Sequence, residues 1–312
     1  MVIDLHCDTI LRLYEQDDKK LLSNDHHVDL NKLDKGNVLA QFFAFFINRK
    51  AIPKHVSPYN YFTKIYDFFY DILDENKEYI RVATDYDTYK KNQCNRKISA
   101  FLTIEGGDAI ADSLDNLRDA YDKGIRLMTL TWNYPNAIGY PNLTESYMKS
   151  GLTNFGKSVI EEMNNLGMLI DVSHLSDQGF YDVAERSKVP FVASHSNART
   201  IKKNPRNMTD DMIRVLANKG GILGINFFAP FLGDSSKSRV EDIVKHIQHI
   251  KKIGGIEVLA LGSDFDGIEC ELEIDNISKI ELLRDALKKQ GFSENELDLI
   301  MYKNTERILK TL

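Results

Sequence analysis

Three of the eight histidines, His6, His174 and His195, stand at the ends of short apolar runs. Such runs, bounded by turn signals, read as buried β-strands. His6 and Asp8 are two residues apart in VIDLHCD, and a strand's period of two turns both side chains to one face. A lone His-x-Asp pair arises too often by chance to define a site. Other strand ends repeat its chemistry. ISAFLTIEGG ends on Glu105 before two glycines, GMLIDVSH ends on His174, PFVASHS reaches His195, and VLALGSDFDG carries Asp264 and Asp266. Imidazoles with carboxylates suit a borderline divalent ion, and zinc is the first choice because the set is neither cysteine-rich nor all-oxygen. The expected ligands are His6, Asp8, Glu105, His174 and His195. Cys7 should face away from them as a small buried hydrophobe. His26, His27, His55, His246 and His249 fall in polar loops or helical segments and are read as surface residues.

The elements that must carry these residues form a repeating order. Strand candidates start at Val2, Val38, Ile98, Ile125, Met168, Pro190, Gly221 and Val258. Helical periodicity covers Asp115–Lys123, Thr153–Leu166, Asp177–Lys188, Thr209–Lys219 and Arg239–Ile253, with a final pair beginning near Asn276 and Ser293. Alternating strands and helices imply a parallel sheet covered by helices, and eight such units imply a closed (β/α)8 TIM-type barrel. Active sites of such barrels lie at the carboxyl ends of the strands, so the ligand candidates share one rim. Asp17–Lys35 and the aromatic helix Tyr59–Asn76 interrupt the early units; Phe62, Phe69 and Tyr70 in that helix are read as packing residues. No linker or low-complexity tract divides the sequence, and residues 1–312 read as one catalytic barrel domain.

Composition narrows the function classes. The net charge of -6 offers no global field for nucleic acid or anionic lipid. The longest apolar run, Val38–Ile47, is far short of the roughly 20 residues that span a membrane. No signal segment is evident at the start. Three scattered cysteines do not form a disulfide framework, which fits a reducing cytoplasm. A small-molecule substrate is the expected partner, with neither nucleic acid nor membrane; a homodimer is the open alternative to a monomer.

DLHCDT, IEGGDAI, RLMTLTWNYPN, LGMLIDVSH, PFVASHSNAR, NPRNMTD and GSDFDG occur in that order over nearly the whole chain, which therefore resembles the membrane (renal) dipeptidases, two-zinc metallopeptidases with a (β/α)8 barrel. The resemblance implies two Zn2+ per chain. His6 and Asp8 would hold one with Glu105, and Glu105 would bridge to a second held by His174 and His195. It further implies that Asp264 is the general acid/base acting with a metal-bridging hydroxide, that Arg206 binds the substrate carboxylate, and that Asp266 supports the site from the strand end. The substrates would be dipeptides, including those with a D-residue at the C-terminal position. One position departs from the mammalian members: the histidine often found after LTLT is Trp132 here, so the substrate contact credited to that histidine does not carry over. Trp132 and its neighbour Asn133 are read as substrate-binding candidates. Fold and metals alone would equally serve cleavage of N-acyl amino acids or another small amide, or a noncatalytic metal-binding barrel. Against the last, a purely structural zinc site would be closed by its ligands and need no acid/base group.

Overall fold

Runs rich in Val, Ile, Leu and Phe can be buried on both faces of a parallel sheet. In the computed structural model, which describes residues 1–312, eight of them form the barrel: β1 (Val2–Cys7), β2 (Val38–Phe46), β3 (Ile98–Glu105), β4 (Ile125–Thr129), β5 (Leu169–Asp171), β6 (Val192–Ser196), β7 (Ile222–Ile225) and β8 (Leu259–Leu261). Every strand pairs in parallel with its neighbour in sequence, and β8 returns to β1. The ladder is uneven. β2 and β3 run in register from Ala40–Ser99 to Phe46–Glu105, whereas the β8–β1 and β5–β6 seams each hold one registered pair, Asp4–Leu261 and Asp171–Val192. Beyond those pairs the ladder is irregular: at the β8–β1 seam it resumes only at a Cys7–Phe265 bridge, and at the β5–β6 seam the Val172 N–H still reaches the Val192 carbonyl.

The five expected helices after β3 to β7 form within two residues of their anticipated ends. Four of the five starts have a common cause: Ser113, Thr153, Ser176 and Thr209 each accept a backbone N–H of the first turn, as N-cap hydroxyls do. After β8 a longer segment, which includes the two-residue strand Glu271–Leu272 and a single turn at Ile277–Lys279 capped by Asn276, leads to helices Glu281–Lys289 and Glu294–Asp298, the latter capped by Ser293. A short strand, Ile80–Val82, adds to the amino end of β3, and a helix follows at Tyr86–Cys94; neither is anticipated from the periodicity. No helix is long and apolar enough to cross a membrane.

Two expectations are corrected. Helix Pro58–Glu75 buries Phe62 and Phe69, but Tyr70 is 49% exposed. It lies about 100° around the helix from Phe69 and stacks on Tyr66 instead, with ring centroids 5.6 Å apart. His246 is fully buried, not a surface residue. Its helix, Val240–Gly254, turns the Ile face and His246 inward together, whereas His249 pairs with Asp210 at 2.7 Å. His55 is exposed, while His26 and His27 are half-buried.

His246 Nδ1 accepts the Ala198 N–H and its Nε2–H donates to the Leu232 carbonyl, both at 3.0 Å. Both bonds require the neutral ring. Burial drives its pKa down to about 4, from an ordinary 6.5. A depressed folded-state pKa means that stability is fully present above pH 6.5 and is lost as pH falls towards 4. The loss is on the order of 3 kcal/mol over that interval, at about 1.4 kcal/mol per pH unit for one proton. His246→Gln, whose amide does not titrate, should flatten the acid limb of stability in urea unfolding of the metal-free protein. Parallel pH curves for the two proteins would contradict this.

Candidate metal centre

All five expected ligands meet at the carboxyl rim and are nearly inaccessible to solvent. His6 Nε2 lies 3.3 Å from Asp8 Oδ2, 3.6 Å from Glu105 Oε2 and 3.7 Å from Asp264 Oδ1. The other oxygen of Glu105, Oε1, lies 3.1 Å from His174 Nε2 and 3.5 Å from His195 Nε2. Glu105 thus presents one oxygen to each of two trios, His6–Asp8–Glu105 and Glu105–His174–His195, and the donor atoms within each trio lie within 4.8 Å of one another. His6, His195 and Asp264 form a third such group.

Left-handed backbone turns set where three of the rim side chains point. His174, Asp264 and Asp266 adopt φ values of 67°, 64° and 69°, a left-handed region that costs a non-glycine residue on the order of 1 kcal/mol or more and concentrates at functional sites. Accordingly β8 ends at Leu261, and the two aspartates of GSDFDG sit in the turn beyond it. Gly267 completes that turn. A Cβ there would come within 2.1 Å of Asp8 Oδ2 and 2.8 Å of Asp264 Oδ1, so only glycine lets the turn approach both carboxylates.

Hydrogen bonds around the imidazoles test whether these residues fit a metal. Ser194 Oγ donates its one hydrogen to Asp171 at 2.6 Å, so His195 Nδ1 must donate to Ser194 Oγ, at 2.8 Å. His174 Nδ1–H likewise donates to Asn133 Oδ1 at 3.0 Å. Each Nε2 therefore keeps a bare lone pair, and the two nitrogens face each other at 2.9 Å beside Glu105. Protonation does not relieve this at neutral pH: burial and then Arg206 lower the His174 pKa to about 4, and burial and then His6 hold His195 well below its usual range. Lone pairs converging without a proton call for a cation.

The second trio reaches the same result by charge. His6 Nδ1, His6 Nε2 and Asp8 Oδ1 are buried without hydrogen-bond partners. Burial and then the neighbouring Glu105 push Asp8 up to about 7. Burial disfavours the His6 imidazolium, but Glu105 and Asp8 outweigh it and hold its pKa well above the ordinary value. Burial also opposes charge on Glu105, yet His6, His174 and His195 keep it ionised. This is a pocket of excess negative charge whose nitrogen and oxygen donors suit divalent cations.

The trios form the floor of a cavity of about 510 Å³, large enough for a small ligand. Asp264 sits at its edge. Its Oδ2 accepts the Asn226 amide at 2.8 Å, leaving Oδ1 turned towards His6; burial raises its pKa, with His6 partly opposing. Arg206 is 3% exposed and lies over the Phe231 ring at 5.3 Å. Burial lowers its pKa to about 10, so it remains a cation at neutral pH, and its Nη1 has no partner. Trp132, packed edge-on against Phe46, forms an apolar wall. Asn133 also lines the cavity, with its carbonyl oxygen taken by His174. Asp266 does not face the trios: it accepts the Thr9 hydroxyl at 2.6 Å and the His27 N–H at 2.7 Å, tying the turn to the segments after β1. Sequence reasoning missed Asn226. It ends the apolar run GGILGIN, and the strand-end criterion would have found it if extended from acids and histidines to amides.

A sequence model of the membrane dipeptidase family, peptidase family M19, matches residues 1–312. An uncharacterized dipeptidase of Schizosaccharomyces pombe is 31% identical over 338 residues, spanning 99% of this chain and 80% of the relative. Dipeptidase 3 of Rattus norvegicus is 29% identical, across 99% of this chain and 64% of its own length. Among solved structures, a metallopeptidase from Rhodobacter sphaeroides liganded with a phosphinate mimic of the dipeptide L-Ala-D-Ala superposes with a TM-score of 0.91 at 24% identity, covering 99% of this chain and 98% of that one. That likeness carries the barrel fold, whereas the family match and the yeast relative carry the activity class. The chain belongs to the membrane dipeptidase family M19 and is a dipeptidase of the metallopeptidase class.

Proposed function

We propose that residues 1–312 form one catalytic domain that hydrolyses free dipeptides with two zinc ions, one held by His6, Asp8 and Glu105 and the other by Glu105, His174 and His195. The observation that carries this reading is the division of Glu105 between the two trios, Oε2 towards His6 and Oε1 towards the two bare Nε2 lone pairs. When bound, the two ions would supply Lewis acidity and make hydroxide available near neutral pH.

The chain's own residues supply the remaining chemistry. Asp264 Oδ1 accepts the proton of the attacking water and returns it to the leaving amine. Asn226 holds Oδ2 and so reserves Oδ1 for that transfer. Arg206 offers its unpartnered Nη1 to the free carboxylate of the substrate, a planar guanidinium being able to grip two oxygens. Trp132 and Phe46 shed water from one wall of the cavity. A buried cation that recognises a terminal carboxylate places the scissile bond one residue from the C-terminus, and the cavity of about 510 Å³ suits a short amino side. Tolerance of a D-residue at the C-terminal position is part of the proposal and is supported by the ligand of the Rhodobacter sphaeroides relative.

A panel of L-L and L-D dipeptides, each as free acid and C-terminal amide, tests the substrate reading. Free acids of both series should be cleaved and the amides should not. Arg206→Ala should raise KM for free dipeptides by roughly 10- to 100-fold, the worth of about 1.5–3 kcal/mol for a hydrogen bond to a charged group. Equal cleavage of acids and amides, or an unchanged KM, would contradict the carboxylate anchor.

A further inference from the structure

The two seams with a single registered pair share a construction that the proposed chemistry does not use. At the β8–β1 seam, Asp4 is registered with Leu261, and two residues on Ser263 donates its N–H to Asp4 Oδ1 at 2.8 Å and its hydroxyl to Asp4 Oδ2 at 2.7 Å. At the β5–β6 seam, Asp171 is registered with Val192, and two residues on Ser194 donates its N–H to Asp171 Oδ1 at 2.8 Å and its hydroxyl to Asp171 Oδ2 at 2.6 Å. Both carboxylates are fully buried, and each takes a further side-chain donor from the strand on its other side: Gln41 of β2 on Asp4 at 2.9 Å and Thr129 of β4 on Asp171 at 2.6 Å. Burying a carboxylate without an ion partner is costly unless its lone pairs are filled, so neither arrangement survives as idle polarity in the barrel interior.

Each serine immediately precedes a residue of the site, and each passes the carboxylate's hold onward. Having given its hydrogen to Asp171, Ser194 Oγ can only accept, and it accepts from His195 Nδ1 at 2.8 Å. Having given its hydrogen to Asp4, Ser263 Oγ accepts the Phe265 N–H at 3.3 Å and so straddles the backbone of Asp264. Ser173 Oγ, beside His174, accepts the His195 N–H at 3.0 Å and completes the second arrangement.

We infer that Asp171 and Asp4 are positioning residues that act through Ser194 and Ser263, the first fixing His195 with Nε2 unprotonated and aimed at the metal shared with His174, the second fixing the turn that presents Asp264. At each seam the regular ladder is interrupted beside the converging ligands, and an Asp–Ser clamp fills the interruption and holds it in one geometry. The inference rests on the two-metal reading and assigns the clamps to different halves of it.

Zinc affinities of the wild type, Ser194→Ala, Ser194→Thr and Ser263→Ala, measured by chelator competition alongside kcat, KM and the metal-free Tm, separate the two. Ser194→Ala should weaken one of the two ions by about 10- to 100-fold, the usual cost of losing a partner behind a metal-bound imidazole, and leave the other unchanged. Ser194→Thr, which keeps the hydroxyl, should restore most of that affinity. Ser263→Ala should keep both ions and lose roughly tenfold in kcat at unchanged KM, as expected when a reacting group is slightly misplaced. Wild-type affinities in Ser194→Ala, or equal weakening at both ions with a matching fall in Tm, would overturn the clamp while sparing the two-metal reading. An unchanged kcat in Ser263→Ala would do the same for the Asp4 clamp. A wild type that binds no zinc would remove the two-metal reading and the inference with it.

Discussion

Asp264→Asn is expected to lower kcat by about 10²- to 10⁴-fold, the usual contribution of a positioned acid/base group, while both metal ions remain bound. The amide still offers an oxygen to the Asn226 donor, which now holds Asp264 Oδ2 at 2.8 Å, so the turn at φ 64° should persist. What disappears is an atom at the Oδ1 position able to take and return a proton. KM should change little, because the proposal assigns the substrate carboxylate to Arg206, not to Asp264. The site geometry also makes the opposite result informative. Asp264 forms a group with His6 and His195 tight enough to ligate an ion, so loss of metal in the variant would reassign it as a ligand. Full turnover with both metals present would remove it from the mechanism.

The second large effect is expected from Glu105→Gln. Losing an outer partner of a ligand costs about 10- to 100-fold in metal affinity, so neutralising the one carboxylate that faces both trios should cost each ion on the order of a hundredfold or more. Stability should fall in both states. Without metal, burial opposes the charge on Glu105 but His6, His174 and His195 hold it ionised, so replacing the carboxylate should lower the metal-free Tm modestly. With metal, a hundredfold weaker binding removes about 2.7 kcal/mol of ligand-linked stabilisation per ion, so the rise in Tm on adding zinc should largely vanish. Calorimetry with and without zinc reads both. A variant that retains its zinc-dependent rise would show that Glu105 does not hold the ions.

The barrel and the convergence of the five candidate ligands are legible because both follow from periodicities that tertiary contacts reinforce. A strand's period of two put His6 and Asp8 on one face, and the end of each apolar run marked where Glu105, His174 and His195 meet the rim. Other features depend on partners distant in sequence. His246 shares a helix with polar lysines, and nothing local reveals that Ala198 and Leu232 receive its ring. Tyr70 and Phe69 look alike as aromatic neighbours, yet one helical step separates core from solvent. Ile80–Val82 is too short for a period to declare itself and is a strand only because the amino end of β3 is free to pair. Asp4 and Asp171 read as ordinary polar residues in apolar runs; their meaning lies in the register that brings Ser263 and Ser194 opposite them. Trp132 was visible as a departure from the mammalian relatives, and its position against Phe46 gives it an apolar wall in place of a polar contact.

Metal analysis of the protein reconstituted with zinc, paired with hydrolysis of a free dipeptide by the same sample, tests the central claim most directly. Two equivalents of zinc per chain, with cleavage that disappears on chelation and returns when zinc is restored, are predicted. A chain that retains no zinc after reconstitution, or one that holds two ions and leaves every free dipeptide intact, would contradict it.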